Sequence, residues 1–124
     1  MKESRETMIG LSQRTHNKLK QLKENGLFLE MSDAYRAGVA LAISKGLSPS
    51  KISEKRTTIF SVATIDPKRE MANTVTSLIG PFEEPIYSII EQLAELGIIE
   101  LYNEYIEQGT INITDLLKNS HKNK

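Results

Sequence analysis

The spacing of apolar residues divides the chain into short segments of alternating type. Thr7-Met8-Ile9-Gly10-Leu11-Ser12 alternates with period two and predicts a short strand with Ile9 and Leu11 on its core face. Ser12 is a good N-cap, so a helix is expected from about Gln13 to Asn25, with a thin stripe of Leu19 and Leu22, Thr15 or His16 one turn earlier, and Gly26 as its stop. Leu27-Phe28-Leu29-Glu30-Met31 is an apolar connector, expected to pack. Ser32 reads as the next N-cap, before a helix that runs to about Lys45 and stops at Gly46. Its middle, Ala37 to Ile43, has no polar side chain at any of seven positions. A helix apolar on every side is surrounded by protein. In so short a chain this predicts cover from a second subunit, with Ile9, Leu11, Val39, Leu41, Ala42 and Ile43 at an oligomer interface and the small residues of the helix allowing close approach.

Residues 47–56 are Ser- and Lys-rich with one Pro and read as a linker. Thr57 to Ile65 is β-branched and apolar on both faces, which predicts a buried strand. Asp66-Pro67 predicts an N-cap followed by Pro at the first helical position, with a helix to about Ile79 ended by Gly80-Pro81. Pro85 opens another helix, whose buried stripe is Ile86, Ile89, Ile90, Leu93 and Leu96; Gly97 is expected to break or kink it before the apolar spacing resumes to Gly109. A last short strand at 110–113, a turn of helix at 115–117 and a disordered tail at 118–124 complete the reading. The fold class is mainly α with short strands: an N-terminal module (1–46), a linker (47–56), and a strand plus helical extension (57–117).

Charge changes this picture more than composition does. The 124 residues carry 16 Lys+Arg and 16 Asp+Glu, a net charge of zero. Residues 1–56 hold eleven basic and six acidic side chains, a balance of +5, and residues 57–124 hold five and ten, a balance of −5. A basic half suits a polyanion or an acidic partner, and the acidic half is expected to face away from it. Lys2, Arg5, Arg14, Lys18, Lys20 and Lys23 lie on or near the first strand and helix, with Lys51, Lys55 and Arg56 in the linker. With no Cys there is no disulfide, no thiolate metal site and no cysteine nucleophile. The opening residues lack the apolar stretch of a signal peptide and no run approaches the ~20 apolar residues that cross a bilayer, so a cytoplasmic protein is expected.

The order strand, Ser cap, helix, connector, helix, Gly resembles the ribbon–helix–helix (Arc/MetJ/CopG-like) family. The resemblance rests on Met8-Ile9-Gly10-Leu11-Ser12, His16, Leu19, Leu22 and Ser32-Asp33-Ala34-Tyr35-Arg36 through Gly46, about a third of the chain. It implies a dimer whose two N-terminal strands pair into a ribbon that enters the DNA major groove. On that pattern the outward ribbon positions fall on Met8 and Gly10, flanked by Ser12, and Ser32 stands where the second helix grips a phosphate. Met8 has no hydrogen bond to offer and Gly10 no side chain, so backbone contact dominates over base readout. The same opening resembles the DndE-type accessory protein of DNA phosphorothioation systems.

The expectation is therefore a non-catalytic DNA-associated homo-oligomer, dimer or higher. It would be a regulator or an accessory subunit of a DNA-modification or defence system, docking double-stranded DNA through Lys2, Arg5, Met8, Gly10, Ser12, Arg14, Lys18, Lys20 and Ser32. The alternative is a protein–protein assembly subunit that keeps the fold and binds a protein partner through its apolar helices and connector. No cofactor, metal, membrane or small-molecule substrate is expected. No Walker loop, dinucleotide glycine pattern, nucleophile elbow or zinc spacing occurs. His16 reads as a packed or surface residue, and Tyr87, Tyr102 and Tyr105 as core or interface tyrosines. Glu91, Glu95, Glu100, Glu104 and Glu107 read as a solvated acidic face.

Overall fold

The computed structural model describes residues 8–111. Expectations placed on Lys2, Arg5 and residues 112–124 lie outside the described residues. The elements are β1 (Met8–Ser12), α1 (Gln13–Glu24), α2 (Met31–Ser44), β2 (Arg56–Ser61), α3 (Val62–Ile65), α4 (Glu70–Ile79) and α5 (Ile86–Gln108). A mainly helical chain with one two-stranded antiparallel sheet results.

The local signals govern the helix ends. Ser12 caps α1, its hydroxyl accepting from the Thr15 N–H at 3.2 Å. Both of the first two helices end on glycines at positive φ, Gly26 at 78° and Gly46 at 71°. Each is followed by the paired backbone bonds of a Schellman motif: Leu27 N–H to Leu22 O and Gly26 N–H to Lys23 O, then Leu47 N–H to Ala42 O and Gly46 N–H to Ile43 O. Ser32 is not the cap of α2. The helix starts two residues earlier, with Glu30 in the cap position and its carbonyl accepting from the Asp33 and Ala34 N–H groups. The expected strand to Ile65 stops at Ser61, because Ser61 caps a short helix through the Thr64 N–H at 3.1 Å. Asp66 still serves α4, accepting from the Met71 and Ala72 N–H groups at 2.9 Å each, but from a turn outside the helix rather than as its cap.

Long-range packing departs from the sequence reading. β1 pairs antiparallel with β2 of the same chain, from Met8 opposite Ser61 to Ser12 opposite Arg56, with a bulge at Ile9/Gly10. The expected ribbon with a twin strand is replaced by this pairing. α2 lies against α5, so the cover expected from a second subunit comes from the same chain. Ile9, Leu11, Val39, Leu41 and Ala42 are buried in that single-chain core, and Ile43 is half-buried against it. The core joins side chains from residues 9–42 with side chains from 65–101, so the segments expected as module and extension share one interior.

Gly97 does not break α5, a helix of 23 residues that continues past it. A Cβ at Gly97 would stand 1.7 Å from the Gly38 carbonyl oxygen, and one at Gly38 would stand 2.9 Å from Ile98 Cγ1. The two glycines are where the backbones of α2 and α5 touch. Gly97 serves packing, and the helix carries it at a propensity cost of about 1 kcal/mol relative to Ala. The connector is only partly packed: Leu27, Phe28 and Met31 lean on the core, and Leu29 projects at 84% exposure.

Candidate interaction surfaces

The surface expected to meet DNA begins at β1, and β1 is enclosed. One edge is paired with β2. On the other, the Gly10 N–H donates to Glu91 Oε2 at 2.9 Å and the Ser12 N–H to Glu95 Oε1 at 3.0 Å. The Gly10 carbonyl accepts from the Tyr35 hydroxyl at 2.9 Å. Glu95 also accepts from the Ser12 and Thr15 hydroxyls, at 2.6 and 2.8 Å. Glu91 is ion-paired with Arg56, the first residue of β2. Two carboxylates of α5 and one tyrosine of α2 thus satisfy the strand groups that a second copy's strand would otherwise pair. Glu91 is 5% exposed and Glu95 half-buried, so the expected solvated acidic face is corrected at these two positions. Charge-assisted bonds of this kind contribute about 1.5–3 kcal/mol each.

The expected nucleic-acid residues differ in exposure. Gly10 and Ser12 are buried and offer nothing to a groove, which corrects their assignment as contact residues. Met8 is 41% exposed. Arg14 is exposed but ion-paired with Glu54, and Lys18 lies over the Tyr102 ring at 4.9 Å. Lys20 is exposed and Ser32 half-buried. The charge imbalance between the halves is met largely inside the molecule. Three of the five ion pairs among the described residues, Lys45–Glu100, Lys51–Glu84 and Arg56–Glu91, join the basic half to the acidic half. The acidic helix lies on the basic segment rather than away from it.

His16 is half-buried, its Nδ1 has no hydrogen-bond partner among the described residues, and burial and then Lys20 lower its pKa. Among the described residues no group of three acidic or histidine side chains is arranged to hold a metal, and no helix is long and apolar enough to cross a membrane. The buried tyrosines have structural partners. The Tyr87 hydroxyl donates to Asp66 Oδ2 at 2.8 Å, and the Tyr35 ring meets Phe60 edge-on at 5.3 Å. Burial pushes the Tyr87 hydroxyl up to about 12, with its hydrogen bond to Asp66 adding to the shift. Burial, then Glu91, pushes Tyr35 well above the ordinary value. A tyrosine whose pKa rises on folding supports the fold fully below its unfolded pKa, near 10, and loses that support as pH climbs through the folded value. The urea midpoint is therefore expected to hold steady up to about pH 9.5 and fall between about pH 10 and 12. Tyr87→Phe should flatten part of that fall, as measured by urea titrations across the alkaline range.

The most distinctive open surface lies between α2 and α4. A groove of about 410 Å³ is lined by Val39, Ala40, Ile43, Met71, Val75 and Leu78, with Arg36 and Glu70 also on its wall. Leu78 is 62% exposed and Ile79 39% exposed at the end of α4. Arg36 is tied down by the Thr64 and Ile65 carbonyls at 2.8 and 3.1 Å and by Asp33, so it forms a wall rather than a mobile arm.

Sequence reasoning found the apolar character of α2 but missed α4 as the second wall of this groove. It also missed the Glu91–Glu95 clamp. A signal for the clamp was present: Glu91 sits four residues after Tyr87, three before Ala94 and seven before Ile98, in a helix with apolar residues on every face. No family model, curated protein or solved structure matches the chain.

Proposed function

We propose that this chain is a non-catalytic protein-assembly module that receives an apolar protein surface in the α2–α4 groove. The carrying observation is the groove itself: apolar side chains on both walls and a projecting Leu78, in a molecule whose other large apolar residues are mostly buried. Contiguous exposed apolar surface rimmed by polar residues marks protein contact sites, and helix-walled grooves take apolar side chains at helical spacing. The test is selection of helical peptides from a displayed library against the wild-type protein. Selected peptides should carry apolar residues at i, i+3 or i+4, and i+7. They should lose at least about tenfold in affinity, about 1.4 kcal/mol, for Ala40→Arg, a change at an exposed position of the groove wall. Failure to enrich such peptides, or equal binding to Ala40→Arg, overturns the reading.

A second reading keeps the DNA backbone as partner. It is favoured by Lys20 and Lys23 on the exposed face of α1, which form no ion pair among the described residues. Two such cations give affinity without sequence information and a salt slope of about −1.8 in log K against log salt concentration. On this reading random duplex binds at low salt and is released as salt rises, and Lys20→Glu with Lys23→Glu abolishes binding. Absence of binding at low salt removes this reading and leaves the first untouched.

A further inference from the structure

We propose that the strap between α2 and β2 is a processing site, cut between Lys51 and Ile52 by an endopeptidase that cleaves after basic residues, and that the cut chain persists as one two-piece molecule. The first ground is backbone freedom. Exposed segments of small and polar residues are where folded chains are nicked. Residues 48–55 lie outside helix and strand and form no backbone–backbone hydrogen bond among the described residues. Ser50, Lys51, Ser53, Glu54 and Lys55 are exposed. Apart from Lys55, the other basic residues between 8 and 111 lie in helices, at the α2 cap, in β2 or in the turn 66–69, which the Arg69 N–H closes on the Asp66 carbonyl at 3.2 Å.

The second ground is a weak hold. Ile52 is half-buried but stands outside the core, and it lines two cavities of about 170 and 190 Å³ together with Lys51 and Gln92. The strap's ion pairs, Arg14–Glu54 and Lys51–Glu84, use cations that are 69% and 82% exposed, so solvent and salt screen them. Lifting the strap breaks no sheet or helix bond, and cleavage follows the population of the lifted form.

The third ground selects the bond. Hydrolysis adds one water across the Lys51–Ile52 peptide, leaving a carboxylate on Lys51 and a new ammonium on Ile52. Carboxylates line both cavities beside Ile52, Glu95 in one and Glu84 and Glu91 in the other. Glu84 accepts from Gln92 Nε2 at 2.8 Å and lies 3.7 Å from Lys51 Nζ, so the Ile52 ammonium takes the place of the departing lysine. A cut after Lys55 would instead put its ammonium on Arg56, whose side chain already pairs with Glu91. The two pieces remain joined through the fold. Leu11, Tyr35 and Val39 share one core with Ile90, Leu93 and Ile98, and β1 pairs with β2 across the cut. Residues 1–51 carry nine basic and five acidic side chains, a balance of +4, and residues 52–124 carry seven and eleven, a balance of −4.

Limited digestion of the full chain with trypsin, read by mass under native and denaturing conditions, tests this. The first cut within residues 8–111 should fall after Lys51. Its two pieces should leave a sizing column as one species with the circular dichroism of the intact chain, and part only in urea. Lys51→Gln should suppress that cut, and Ile52→Ala, which removes the strap's apolar anchor, should speed it about fivefold. Cleaved Glu84→Gln should melt further below its own uncut form than cleaved wild type does below uncut wild type. A first cut in α1, in the turn 66–69 or after Lys55 overturns the site, and an Ile52→Ala chain cut no faster than wild type overturns the weak hold. Pieces that part without urea overturn the two-piece molecule. Equal losses on cutting for Glu84→Gln and wild type overturn the pairing of the new ammonium with Glu84.

Discussion

Gly97→Ala is expected to lower stability by about 3 kcal/mol or more, at or beyond the upper end of what overpacking typically costs. The added methyl would lie 1.7 Å from the Gly38 carbonyl oxygen and 2.8 Å from Gly38 Cα, both backbone atoms that have no rotamer to change. Relief requires α2 and α5 to separate, and Tyr35, Val39, Leu41, Leu93, Ile98 and Leu101 are buried in the core these two helices share. Gly38→Ala is the matched control. Its Cβ would meet Ile98 Cγ1, a side-chain atom rather than backbone, at 2.9 Å, with the Ile98 backbone nitrogen next at 3.1 Å, so a smaller loss is expected. In thermal melts the Gly97 variant should fall by more than about 10 °C and the Gly38 variant by clearly less. Equal melting temperatures for Gly97→Ala and wild type would refute the close crossing of the two helices.

Glu91→Ala is expected to cost about 1–3 kcal/mol, the penalty for leaving the buried Gly10 N–H without its acceptor. The loss leaves the Gly10 N–H without its acceptor and Arg56 without its counter-charge. Both strands of the sheet depend on this one carboxylate, β1 through its backbone and β2 through Arg56. Amide hydrogen exchange should therefore show loss of protection across residues 8–12 and 56–61 together, beyond any change in α1. Arg56→Ala leaves Glu91, 5% exposed, with its bond from Gly10 but without that counter-charge, so it too should be destabilising. A Glu91→Ala protein with unchanged urea midpoint and unchanged protection in both strands would show that the clamp is incidental to the fold.

The two variants mark the limit of what local pattern carries. Helix α1, with its Ser12 cap and Gly26 stop, is legible because its signals act within a few residues: a hydroxyl three positions from the N–H it accepts, a glycine two positions past the last helical turn. The same is true of the Gly46 stop and of the helix after Pro85. Ser61 shows the failure of the same logic, since a β-branched run hid a cap that was in plain view. Gly97 was read as a helix breaker because propensity treats a glycine as a local cost, and the compensating contact sits on a helix some 60 residues earlier in the chain.

The candidate surfaces were legible only in part. An apolar α2 demands cover, and the sequence states that demand without stating who meets it. The chain proved long enough for α5 to return and meet most of it, which moved Val39, Leu41 and Ala42 from an expected interface into the interior. What is left open, Ala40 and part of Ile43, becomes one wall of the groove only because α4 stands opposite. The charge halves behaved likewise. Counting gives +5 and −5, and the count does not say whether the complement is another molecule or the other end of the same one.

The amino-acid order by itself determined both ends of α1, the stop of α2 and the start of α5, most of the residues that leave water, and that the chain's two halves carry opposite net charge. Tertiary structure alone decided that β1 takes β2 as its neighbour, that Glu91 and Glu95 turn inward to hold its far edge, and that α2 and α4 face each other across an open groove. The physical reason is range. Caps, turns and periodicity are settled by groups within about one helical turn of each other. The partner of a strand edge or of an apolar face is selected among distant segments by the packing of the whole chain at once.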